Sequence, residues 1–153
     1  MERKIMNLTK ISELNNISVD YLTTEYGYRA IKGEHSTRVN SAPNIVYYGK
    51  GEFIGSFLFD QNNLIEITLV PIVPGVEAPN YPDEEYQNAK KEYCVSVLRD
   101  IFGNETASNE FGTYWERENV IIVCHVILGG KAQYIGGDIV IRIHETGCLS
   151  VQK

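Results

Sequence analysis

The segment Tyr81–Gly103, "YPDEEYQNAKKEYCVSVLRDIFG", is where the chain changes its hydrophobic period. Tyr86, Ala89, Tyr93, Val97 and Ile101 recur at spacings of three and four, and Cys94 and Leu98 widen the stripe. That period predicts an amphipathic helix over residues 82–102, about six turns long. Gly103-Asn104 stops it, because glycine enters the left-handed region without penalty. Pro82 suits a first helical turn, where its missing N–H is not needed. Asp83, Glu84 and Glu85 then face the positive end of the helix dipole, each worth about 0.3 to 1 kcal/mol. Lys90, Lys91 and Glu92 fall off the apolar stripe and are expected in water.

Immediately upstream, "PIVPGVEAPNYPDEEY" (Pro71–Tyr86) holds four of the chain's five prolines. Pro71 interrupts a strand ladder and belongs on an edge or at a bulge. Pro74-Gly75 turns the chain, and Pro79 with Pro82 keeps the connection extended. The stretch is therefore a strand-to-helix crossover.

Strand patterns flank the helix on both sides. "NIVYYGK" from Asn44 turns at Lys50-Gly51 into "EFIGSFLFD", where Phe53, Phe57 and Phe59 share a face. "DQNN" (Asp60–Asn63) has turn chemistry. "LIEITLVPIV" follows, with Ile65, Ile67 and Leu69 expected on one side and Leu64, Glu66, Thr68 and Val70 on the other. Beyond the helix, "EFGTYWERE" (Glu110–Glu118) turns at Glu118-Asn119 into "VIIVCHVIL" (Val120–Leu128). The latter is apolar on both faces, as a central strand under the helix would be. "DIVIRIHE" closes the sheet with Ile139, Ile141 and Ile143 inward and Val140, Arg142 and His144 outward. The order β-β-β-α-β-β-β predicts an α+β fold: an antiparallel sheet of about six strands with one long helix on a face. Residues 1–27 stay open between a short helix capped by Thr9 or Ser12 and a strand from Ile17 to Leu22.

The 153 residues fit a single domain, 43% of them hydrophobic and 22% charged. A cytoplasmic location is expected, since the first residues carry no apolar run of a secretory signal and no stretch is long enough for a membrane helix. The net charge of −6 disfavours a nucleic-acid partner and suits a basic protein one.

Motifs for catalysis are hard to assemble. In the glycine-rich "LGGKAQYIGGD" His125 stands where a phosphate-binding loop needs glycine, and Ala132 follows Lys131 instead of Ser or Thr. His35, His125 and His144 do not pair with Cys94, Cys124 or Cys148 at two-by-two metal spacing. Neither cofactor nor metal is expected, and Cys94 and Cys124 read as small buried hydrophobes. The informative residues are exposed acids and aromatics. Glu77, Tyr81, Asp83, Glu84 and Glu85 form an acidic corner, and Tyr114 and Trp115 are aromatic anchors of the kind that dominate protein interfaces. These seven are the candidate partner-binding residues.

On the order of "GEFIGSFLFD", "LIEITLVPIV", "YPDEEYQNAKKEYCVSVLRDIFG", "GTYWERENVIIVCHVI" and "GGDIVIRI", the chain resembles small acidic bacterial immunity proteins that neutralise contact-dependent or other polymorphic toxins. The resemblance covers roughly Tyr47 to Ile143 and brings no catalytic motif with it. It implies a non-enzymatic role by occlusion of a basic toxin domain. A small-ligand binder or enzyme using the concave sheet face, and a structural homo-oligomer, are the alternatives.

Overall fold

A computed structural model of the chain describes residues 5–8, 17–76, 84–109, 112–117, 120–126 and 136–143. Its strands are β1 (Met6–Asn7), β2 (Arg29–Lys32), β3 (Ser36–Asn40), β4 (Val46–Tyr48), β5 (Gly51–Asp60), β6 (Asn63–Pro71), β7 (Ala107–Asn109), β8 (Gly112–Arg117), β9 (Val120–Val126) and β10 (Gly136–Ile143). Its helices are α1 (Val19–Glu25) and α2 (Glu84–Phe102). The architecture is α+β as the period change implies, but with a ten-stranded sheet in place of six strands and a second, short helix. The extra strands are mostly short, and runs of two to five residues carry too little alternation to be recognised locally.

The sheet runs β1-β4-β5-β6-β10-β9-β8-β7, with β3 also on β5 and β2 outside β3. Every pairing is antiparallel except that of β1 with β4. Two meanders are thus joined through β6 and β10, where Ile67 lies opposite Ile141. One cross-strand row, Val39–Phe57–Ile67–Ile141–Ile122–Trp115, is fully buried from β3 to β8. Each such burial contributes about 1.5–3 kcal/mol before chain entropy is subtracted.

Both helices cover this inner face. α1 starts at Ser18, whose Oγ accepts from Tyr21 N at 3.0 Å, and it buries Leu22. The strand alternative for residues 17–22 is therefore overturned, and the cap is Ser18 where Thr9 or Ser12 was expected; residues 9–16 lie outside the described set. α2 packs on β10, β9 and β6. A Cβ on Gly51 would sit 2.8 Å from Val97 Cγ2 and 2.6 Å from Phe53 Cε2, so the absence of a side chain is what lets the helix approach. Past its end, Gly103 has φ +80° and donates to Arg99 O at 2.8 Å. Strand β8 completes the cap: Arg117 Nη2 donates to Phe102 O at 2.8 Å and Trp115 Nε1 to Gly103 O at 3.0 Å.

Two local expectations need correcting. In β6 the buried residues are Leu64, Ile67, Leu69 and Pro71, and Ile65 is exposed. The register passes from Phe59–Leu64 to Leu58–Glu66, so Ile65 is an inserted residue that swaps the alternation before it. In α2, Lys90 is not in water: it is only 7% exposed and belongs to the buried stripe with Gln87 and Cys94. Pro71 fits its expected local edge, because the β10 ladder on β6 stops at Leu69.

Candidate functional site

The expected acidic corner is only partly within the described residues. Glu77, Tyr81 and Asp83 lie outside them; Glu84 opens α2 and Glu85 is exposed on it. The aromatic anchors part company. Trp115 is 0% exposed in the core row, so it serves the α2 cap and is no rim residue. One position earlier along an alternating strand, Tyr114 points to the opposite face and is half-buried there.

That opposite face is a broad, ordered surface. The register places Asn40, Ser56, Thr68, Val140, Val123 and Tyr114 side by side from β3 to β8. A parallel row holds Arg38, Leu58, Glu66, Arg142, Ile121 and Glu116. Ile54 pairs with Val70, which is exposed, as is Ile72 beyond it. Arg142 Nε meets Glu66 Oε1 at 3.3 Å, and Arg38 Nη1 donates to Ser56 Oγ at 2.8 Å. The middle row thus passes from polar at Asn40, Ser56 and Thr68 to apolar at Val140 and Val123, with the charged row on one side of it and Ile54 and Val70 on the other. Among the described residues no helix lies over it, since α1 and α2 both pack on the inner side. Composition alone could not find this surface, because its rows exist only once six strands are in register.

A second polar group sits under the helix. Lys90 Nζ lies 2.7 Å from Asp138 Oδ1, with side-chain exposures of 9% and 24%. Strict alternation would put Asp138 on the outer face with Val140 and Arg142. The register shift between Gly136 and Asp138 re-aims it toward α2. Gln87 is buried beside Lys90, one helical turn before it, and Tyr86 lies with its ring centroid 5.5 Å from Lys90 Nζ. Below them, burial pushes the Cys94 thiol far up, helped by a hydrogen bond with Cys124, whose Sγ donates to Lys91 O at 3.7 Å. A thiol so held stays protonated and is a poor nucleophile. The group ties α2 to β9 and β10.

Tyrosines also gather on the inner face. Tyr28 stacks on Phe57 with centroids 6.2 Å apart, and Tyr26 lies between Tyr28 and Tyr21. Burial pushes the Tyr28 hydroxyl up to about 12 and drives those of Tyr26 and Tyr48 higher still. An open cleft of about 750 Å³ lies between the start of α1, the β2–β3 hairpin and the β5–β6 turn, lined by residues such as Asp20, Lys32, His35 and Asn62. No three His, Cys, Asp or Glu side chains among the described residues converge as a metal set. None of the described helices is long and apolar enough to cross a membrane. Comparison with protein-family models, with curated proteins and with solved structures gives no match.

Proposed function

We propose that the chain is a non-enzymatic protein-binding module that acts by covering its partner, and that this partner is a basic toxin domain which the chain neutralises as an immunity protein. The observation that carries the reading is the outer sheet face, which no described helix covers. Its middle row, Thr68–Val140–Val123–Tyr114, sets two valines between a threonine and a tyrosine, an uncharged strip with the depletion of charge and the aromatic residue of an interface centre. The charged row beside the strip is balanced, with Arg38 and Arg142 against Glu66 and Glu116, so the attraction for a cationic partner comes from the net charge of −6, a long-range field that speeds encounter. The acidic residues at the start of α2 add to the same field.

The reading is tested by co-expressing the chain with the protein encoded beside it. A complex that survives purification, and that Val140→Arg combined with Thr68→Arg weakens at least tenfold, is the expected result. A neighbour that is not retained, or a complex indifferent to both substitutions, would count against it. The cleft beside α1 favours a second reading, a small-ligand site; it predicts shifts in the amide signals of Lys32, His35 and Asn62 when a metabolite mixture is titrated in.

A further inference from the structure

The β2–β3 ribbon leaves a strand edge beyond β3, away from the middle row of the outer face. Among the described residues β2 pairs with β3 alone, and all four of its residues are exposed. The hairpin closes with Gly33 N donating to Ser36 O at 2.7 Å. Hydrogen-bonded pairs alternate along an antiparallel ladder, so Ile31 and Arg29 are the next residues whose backbone groups face β3. Ala30 and Lys32 therefore turn their N–H and C=O groups to the free edge. No described residue reaches them there.

The side chains of this edge say what would pair with it. Arg29, Lys32 and Arg38 stand against one acid, Glu34, in residues 29–40, so the ribbon is positive in a chain of net −6. Ile31 is 57% exposed, while Ala30 and Lys32 line the cleft beneath. A second copy of β2 is a poor occupant. The antiparallel register that turns edge groups to edge groups sets Ala30 opposite Lys32 of the copy, which leaves the two Lys32 side chains diagonal neighbours within reach of each other, and like charges so placed repel.

We infer that the β2 edge takes an extended acidic strand from another protein by β-augmentation. The pairing defines its sequence. Running antiparallel, the incoming strand places an acid opposite Lys32, an apolar residue opposite Ile31, a residue over the cleft opposite Ala30, and a second acid opposite Arg29. The recognised pattern is acid–apolar–any–acid, and affinity divides between backbone bonds at Ala30 and Lys32 and the two charge pairs.

The probe is a short synthetic peptide with a Glu-Val-Thr-Glu core, titrated into the full chain and followed by amide chemical shifts and hydrogen exchange. Slowed exchange at the Ala30 and Lys32 amides, and affinity that falls with added salt, are expected. Lys32→Glu with Arg29→Glu should weaken binding at least tenfold. Ala30→Pro should abolish it while leaving the fold intact, since the N–H it removes serves the free edge and not the β2–β3 ladder. Shifts confined to other elements, equal binding of a Lys-Val-Thr-Lys peptide, unchanged binding by Ala30→Pro, or an Ala30-dependent dimer of the chain itself would each overturn the proposal. Because Val140→Arg leaves this edge untouched, failure here is separable from failure of the outer-face reading.

Discussion

Removing the cation of the Lys90–Asp138 pair is the sharpest test of how α2 is held. In Lys90→Met the unbranched stem is kept, so packing changes little and the loss is the charge partner at 2.7 Å. Breaking a deeply buried pair costs about 3–5 kcal/mol, because one charge is left unpaired in a low dielectric. Exposed pairs are worth only about 0.2–1 kcal/mol. With side-chain exposures of 9% and 24%, this pair lies nearer the buried limit, yet water reaches Asp138 and discounts the penalty. The expected cost is about 2 kcal/mol, between those limits. Asp138→Asn should cost about as much or slightly more, because it strands the more deeply buried partner. Replacing both, as Lys90→Met with Asp138→Leu, should recover most of the loss, so that the two single effects fail to add by about 1.5–3 kcal/mol. Trp115 is the chain's one tryptophan and is fully buried, so its fluorescence reports urea unfolding of the whole core. In a thermal melt the single substitutions should lower Tm by roughly 4–8 °C for a chain of this length. Additive single effects, or a Lys90→Met protein within about 0.5 kcal/mol of the parent, would refute the buried-pair account.

The cap and the close approach of α2 make further predictions. Trp115→Phe loses the 3.0 Å bond to Gly103 O and leaves space in the core row, for an expected loss of about 2–3 kcal/mol measured by circular dichroism during urea unfolding. Gly51→Ala drives a methyl to 2.6 Å from Phe53 and 2.8 Å from Val97, and should cost about 1–3 kcal/mol; a neutral result would mean that α2 can lift off β5 freely. At high pH, Tyr28 holds its proton up to about 12 in the folded chain, against 10.0 for an ordinary tyrosine. A folded state that binds the more protons loses stability as pH rises, so stability should be unaffected by this group below pH 10 and decline as pH climbs toward 12. Ultraviolet titration of phenolate should show exposed tyrosines ionising first and the buried ones only with unfolding. A single step for every tyrosine, with no change in stability, would contradict it.

Tyr114 and Trp115 are neighbours of similar chemistry, and local composition treats them alike as anchors. The β8–β9 register sends one to the outer face and the other into the core. Arg29, Ile31 and Lys32 carry no motif; they become an edge only because no described strand pairs with the far side of β2. Lys90 looks solvated in any window around it, since lysine is rarely buried without a partner. Its partner lies 48 positions further along the chain at Asp138, brought there by a bulge that no local pattern announces.

By itself the sequence determined the long helix, six of the strands and several faces: the Cys94–Val97–Leu98 part of the helix stripe, the Phe53–Phe57–Phe59 face, the turn at Asp60–Asn63 and the stop at Gly103. These follow from steric preferences and periodicities that act within a few residues. Only the tertiary structure decided that β10 lies against β6, that Ile65 is an inserted residue, and that Lys90 meets Asp138. Each depends on contacts between segments far apart in the chain, whose free energy comes from burying a shared face and is settled only when the whole sheet is in register.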